Sequence, residues 1–488
     1  MSQISSLQPN ILWKYFDEIL TIPRPSKKEE KIRDFLINFA GEHKLEYKVD
    51  KAGNLLITKP ASQGLEKKKT AVLQSHMDMV CEKNTDVIHD FNKDPIIPVV
   101  EGNWITASGT TLGADDGIGI ASQMAILASD SIEHGPLECL FTVDEETGLT
   151  GAMALEPNFF NGSILLNLDS EDEGELFIGC AGGIDTVATF KYKTRIFPAG
   201  HVAAKVRVLG LKGGHSGDEI HKSPGGNSNK ILNRFLWNAS KNYGVRLSSF
   251  DGGNLRNAIP REAEAIISVP IKEWGKLENY FAEYNKIIKD ELSNTEPDIR
   301  LSLKKTSAPE IVLTKKSQSR LFSSLYACPH RVIKWSDDVE KMVETSTNLA
   351  SVKFKDNKRI EITTSQRSSV ESAKKDIADR VEAIFDAMGA RVRHTDGYPG
   401  WTPNPDSEIV KITAASYKDL FNEEPVISAI HAGLECGLFL DKYPDLDMIS
   451  FGPTIKRAHS PDEKIHIGTT EKYWDLLLEV LKRIPEGE

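Results

Sequence analysis

Histidine and carboxylate residues recur in four short clusters of this 488-residue chain, each at the end of an apolar run or at the start of a helix-like stretch. His76 and Asp78 end AVLQ; Asp115 and Asp116 lie in GADDG; Asp144, Glu145 and Glu146 end LECLFTV; Asp169 ends SILLNL. In open parallel sheets, neighbouring strands aim their terminal side chains into one crevice, so carboxylates far apart in sequence become neighbours in space. So many carboxylates in one place repel one another, and their pKa values rise unless a cation lies among them. A bound metal resolves that conflict. Imidazole and carboxylate donors without thiolate suit zinc, manganese or cobalt in a hydrolytic role, whereas structural zinc favours cysteine. One carboxylate shared by two ions about 3.5–4 Å apart is the two-metal hydrolase arrangement. Asp115 suits that place, because Gly113, Gly117 and Gly119 permit tight backbone turns around it. Asp116 suits a plainer task, capping the helix that follows.

The elements that must hold these clusters follow from periodicity. The first third alternates apolar runs with amphipathic stretches, as strand–helix–strand units of a mostly parallel sheet do. TAVLQSHMD, LECLFTVDE and SILLNLDS read as buried strands and GIGIASQMAILAS as a helix. Another helix is predicted at about Asn10–Leu20, and one more from Ser26, where Ser26 and Glu29 have capping-box spacing. Beyond Ile184, strands such as HVAAKVRVLGLKG and RIEITTSQRSS interleave with helices such as that around Ala373–Met388. The Gly- and Pro-rich DGYPGWTPNPD reads as a connection. After it, SEIVKITAASYKDLF, MISFGPT and TEKYWDLLLEVLKRI return to the first pattern. The predicted fold class is therefore α/β: a metal-binding domain with a mostly parallel central sheet, in two segments (residues 1–183 and 397–488), plus an inserted α+β domain (residues 184–396).

Composition narrows the function. A net charge of −11, from 60 basic against 71 acidic residues, argues against a nucleic-acid partner, which requires a basic face. No stretch approaches the roughly 20 consecutive apolar residues of a membrane span, and Lys14, Asp17 and Glu18 break up the N-terminal apolar residues where a signal peptide needs an unbroken run. Five scattered cysteines without a CxxC pair fit a reducing compartment, so a cytoplasmic location is expected.

The motifs SHMDMV, GTTLGADDGIG, DEETGLTGA, LLNLDSE, GGHSG, NAIP, HAGLECG and GPTIKRAHSPDE run from position 75 to 463. Together they make the chain resemble the zinc aminoacylase and carboxypeptidase superfamily of metallopeptidases, and within it the aminoacyl-histidine dipeptidase (cytosol nonspecific dipeptidase) branch. The resemblance implies two divalent ions, zinc first, with manganese or cobalt as alternatives. His76, Asp115 and Asp169 would hold one, and the shared Asp115 with Glu146 and His459 the other. It further implies Glu145 as the general base for a bridging, metal-activated water, and Asp78 as the residue that orients His76. His215, from the inserted domain, would stabilise the oxyanion as that domain closes as a lid; Asn257, Arg367, Gly433 and Glu435 would bind substrate. The implied activity is hydrolysis of small unblocked peptides, namely dipeptides including Xaa-His, by a homodimer. An N-acyl amino acid deacylase, a tripeptidase or a carboxypeptidase would need the same cage, since it recognises only the scissile amide. A catalytically silent metal-binding regulatory protein is a further alternative, against which the intact Glu145 argues.

Overall fold

The apolar runs that end in candidate ligands form fully buried strands. The computed structural model describes residues 3–217, 219–221, 226–337, 339, 341–356, 358–395, 397–404 and 406–487. In chain order the first strands of the central sheet are β1 (Glu46–Val49), β2 (Leu55–Lys59), β3 (Ala71–His76), β4 (Leu137–Thr142), β5 (Ile164–Asn167) and β6 (Glu175–Cys180). Every residue of β3, β4 and β5 is buried, as runs without a polar face must be in a sheet covered on both sides. β3 pairs in parallel with both β4 and β5, and the distant strand Asp447–Ser450 pairs in parallel with β5.

Among the described residues this sheet has eight strands, in the order β1, β2, β4, β3, β5, Asp447–Ser450, β6, Val426–Ile430. Its margins are antiparallel: β2 against β1 and β4, and β6 against Asp447–Ser450. The sheet is thus parallel at its centre, where the ligand-bearing strands lie. The terminal helix Ile467–Arg483 buries Thr470, Tyr473, Trp474, Leu476, Leu477, Val480 and Leu481, one apolar stripe at helical spacing.

The helix predicted from Ser26 starts later, at Glu30. The Glu29 carboxylate is engaged elsewhere, accepting from the Lys27 and Asp144 backbone N–H groups at 2.7 and 3.1 Å, so no capping box forms.

Two compact units emerge: Met1–Gly179, Pro403–Ala429 and Leu434–Glu488 form one, Cys180–Thr402 and Ile430–Gly433 the other. The predicted boundaries lie a few residues away from these, and the pattern had no signal for placing Ile430–Gly433 with the second unit. That unit carries a nine-stranded sheet among the described residues. Its core gathers Phe235, Leu236, Phe250, Ile267, Phe322, Leu349 and Phe385 from strands and helices. Among the described residues none of the five cysteines forms a disulfide. Among the described residues no helix is long and apolar enough to cross a membrane.

Candidate metal centre

Strand ends and turns of the first unit bring five of the singled-out residues together. His76 Nε2, at the end of β3, lies 3.0 Å from Asp115 Oδ1 and 3.5 Å from Asp169 Oδ1. His459 Nε2 lies 3.1 Å from the other Asp115 oxygen, Oδ2, and 3.0 Å from Glu146 Oε2. Asp115 therefore turns one oxygen to each histidine. Within each of the sets His76–Asp115–Asp169 and Asp115–Glu146–His459, one donor atom per residue lies within 4.8 Å of the others. Ligand bonds of about 2.0–2.2 Å at tetrahedral angles place neighbouring donors about 3.3–3.6 Å apart, and the observed separations are close to that spacing. Glu146 Oε1 is buried without a hydrogen-bond partner. A buried carboxylate oxygen left in that state is costly, and it fits a ligand to a cation. The donor set suits divalent metal ions.

Local backbone chemistry explains the placement. Gly113 adopts φ +70°, and a Cβ there would fall 2.7 Å from Arg24 Nη2, so the turn into Asp115 requires glycine. Asp115 and Asp116 keep non-helical dihedral angles at the start of the helix Ala114–Ala128. Asp116 Oδ1 accepts from the Gly119 N–H at 3.1 Å, capping the helix as its position suggests. Asp78 is wholly buried. Its Oδ1 lies 3.4 Å from His76 Nδ1, and its two oxygens accept from the Glu145 and Glu146 backbone N–H groups at 3.0 and 3.2 Å. One carboxylate thus orients the imidazole and anchors the turn that carries the next two acids.

The electrostatics follow from this crowding. Burial opposes charge on His76, yet Asp169, Asp115 and Asp78 hold its pKa well above the ordinary value. Hydrogen bonds to Asp115 and Glu146 lift His459 to about 11. Burial, reinforced by Asp115, pushes Asp169 up to about 7. Burial also raises Glu145, with Asp169, Glu146 and Glu435 adding to the effect. Asp115 moves the other way: burial opposes its charge, but its two histidine partners outweigh it. Proton uptake is how a carboxylate cluster relieves its own field, and a divalent cation relieves the same field.

Glu435 also belongs to the first unit. It is wholly buried, and its Oε2 accepts from Gln74 Nε2 at 2.6 Å and Thr142 Oγ1 at 2.7 Å. Burial pushes its carboxyl up to about 8. Three charged residues were not anticipated. Glu171 sits in the field of Asp115 and Asp169 and, chiefly through burial, rises to about 9. Arg24 and Glu463 are buried and grip the Asp115 turn. Glu463 closes the GPTIKRAHSPDE motif, so its signal was present.

The remaining four site residues lie in the second unit. His215 Nε2 is 3.5 Å from Arg367 Nη2, and Arg367 Nη1 donates to the Tyr398 hydroxyl at 2.8 Å. A Cβ on Gly433 would come within 2.9 Å of the Tyr398 ring. Asn257 is exposed, and its carbonyl accepts from the Ser216 N–H at 2.8 Å, beside His215. Tyr398, in the DGYPG segment, is thus an unanticipated member of the group.

The model of Peptidase family M20/M25/M40 matches residues 72–483. Cytosol non-specific dipeptidase of Escherichia coli (strain K12) is 44% identical over 485 residues, which covers 99% of this chain and 100% of that protein. The crystal structure of aminoacylhistidine dipeptidase from Vibrio alginolyticus matches with a TM-score of 0.92 at 45% identity, covering 100% of this chain and 99% of that one. A tripeptidase from Staphylococcus aureus shares the fold alone, with a TM-score of 0.56 at 17% identity over 98% of this chain and 99% of that one. With a family model spanning most of its length and a relative this similar from end to end, the chain belongs to peptidase family M20/M25/M40.

Proposed function

We propose that the chain is a metal-dependent dipeptidase that hydrolyses unblocked dipeptides, Xaa-His among them. The observation that carries this reading is the pair of donor sets joined through the two oxygens of Asp115. The relatives named as dipeptidases support the substrate class.

Two divalent ions, zinc or else manganese or cobalt, would be held by His76, Asp115 and Asp169 and by Asp115, Glu146 and His459. When bound, such ions polarise a scissile carbonyl and lower the pKa of water towards neutrality. The chain's own residues supply the rest. Glu145 takes the proton of the attacking water and delivers it to the leaving amine, as a positioned carboxylate can. Asp78 keeps the His76 ring turned so that Nε2 faces Asp115 and Asp169. In the second unit, His215 would stabilise the oxyanion. Arg367, whose planar fork matches a carboxylate, would bind the C-terminal end of the substrate, with Asn257 and Gly433 beside it. A cytoplasmic location, supported by the scattered cysteines, and a homodimer, supported by resemblance, complete the proposal.

The test is turnover of a panel by metal-loaded protein: unblocked dipeptides, tripeptides and N-acetyl amino acids. Cleavage of the dipeptides with little of the rest supports the proposal. Cleavage of N-acetyl amino acids alone would keep the donor sets and discard the substrate. No cleavage at all would favour a silent metal-binding role.

A further inference from the structure

The turn that presents Asp115 is gripped from both sides by buried charges. On its amide side, Glu463 Oε2 accepts from the Leu112 and Gly113 N–H groups at 2.8 and 3.0 Å, and Oε1 accepts from those of Ala114 and Asp115 at 2.8 and 3.4 Å. Successive amides converging in this way form a nest for an anion. On the carbonyl side, Arg24 Nη2 donates to the Gly113 carbonyl, while Nη1 donates to the carbonyls of Asp78 and Met77 at 2.6 and 3.2 Å. Arg24 therefore ties the turn to the end of β3.

Glu463 ties the same turn to a different place. It follows His459 by four residues, and its N–H donates to the Ser460 carbonyl at 3.0 Å, closing a compact loop. Through that loop Glu463 sets the distance between Asp115 and His459, the pair that only one donor set contains. His76 ends β3 and faces Asp78, whose carbonyl Arg24 binds, Asp169 follows β5 by two residues, and neither hydrogen-bonds to Glu463.

We infer that Glu463 is a positioning residue for the Asp115–Glu146–His459 set: it governs the affinity of that one ion and leaves the His76–Asp115–Asp169 set close to its original affinity. The inference rests on the two-ion reading above. Its physical basis is that metal affinity depends on how firmly the groups around the ligands hold them in place, and loss of such a partner costs about 10- to 100-fold. Glu463→Gln keeps the size of the side chain but turns an NH₂ group towards amides that also donate, so at least one pair of nest bonds is lost.

The test is calorimetric titration of chelator-stripped protein with zinc, together with the absorption spectrum of the cobalt form and the melting temperature of the metal-free form. Wild type should take up two ions per chain. Glu463→Gln should bind one with an affinity within about threefold of wild type and the other about 10- to 100-fold more weakly. The cobalt spectrum should change in only one of its two steps. Ser460→Gly loosens the loop without touching the nest and should give a smaller loss at the same ion, which keeps the test decisive if Glu463→Gln folds poorly. Equal weakening of both ions, or no weakening in either variant, overturns the proposal. A wild type that takes up a single ion would refute the two-ion reading, and the proposal with it.

Discussion

Gly119→Ala separates two forces of opposite sign. Helix propensity alone favours the change: alanine in a helix interior is better than glycine by about 1 kcal/mol. The packing opposes it, because a Cβ on Gly119 would lie 2.7 Å from Asp116 Oδ2 and 2.8 Å from its carboxyl carbon. Asp116 would have to swing away from the Gly119 N–H that it caps at 3.1 Å. A lost cap costs about 1 kcal/mol, and a buried carboxylate stranded without that bond about 1–3 kcal/mol more. The net expectation is a loss of about 1–3 kcal/mol. For a unit of this size each kcal/mol moves the melting temperature by about 2–4 °C, so the metal-free variant should melt several degrees below wild type. Calorimetric scanning in chelator reads this directly, with bound metal unable to mask it. A melting temperature equal to or above wild type would show that propensity prevails and that the Asp116 cap carries no weight in this turn.

Other perturbations probe the neighbouring groups. Asp78→Asn leaves one acceptor oxygen where two backbone N–H groups now bond, so a buried donor is stranded at about 1–3 kcal/mol. Metal-free melting should fall and turnover with it; an unchanged melting temperature would remove Asp78 as the anchor of the Glu145 turn. Glu435, raised chiefly by burial to about 8 from its ordinary 4.5, contributes stability below pH 4.5 that is lost as pH climbs through 8. Glu435→Gln cannot ionise, so in chelator it should melt above wild type beyond pH 8, with the gain shrinking towards pH 4.5; a gain at low pH only would reverse the assignment. Zinc at about 100 times its dissociation constant should stabilise the protein by about 2.7 kcal/mol per site, and a melting curve indifferent to zinc would argue against both donor sets.

The strands that carry the candidate ligands were readable because β3, β4 and β5 are buried on both faces, which leaves mostly apolar runs ahead of the chemical residue. The Asp116 cap was readable for a local reason, a helix start. His459 lay beyond pattern: it sits in a loop with a positive φ and a half-exposed side chain, and only the motif around it pointed to a role. Glu435 was singled out by its motif alone, and its burial against Gln74 and Thr142 comes from tertiary packing that no local pattern displays. Glu29 misled because its capping-box spacing is local, whereas its carboxylate bonds the Lys27 N–H and also the Asp144 N–H, 115 residues away. Glu463 had only its place in a motif and Arg24 not even that; their roles emerge once the Asp115 turn exists in three dimensions, because they bind its backbone.

The central claim is that Glu145 moves protons at a centre held by His76, Asp115, Glu146, Asp169 and His459. The most direct measurement is dipeptide hydrolysis by metal-reconstituted Glu145→Gln beside wild type, with metal content determined on the same samples. The account predicts turnover lowered by about 10²- to 10⁴-fold with metal uptake unchanged. Turnover near the wild-type rate, or a variant that fails to take up metal, would contradict it.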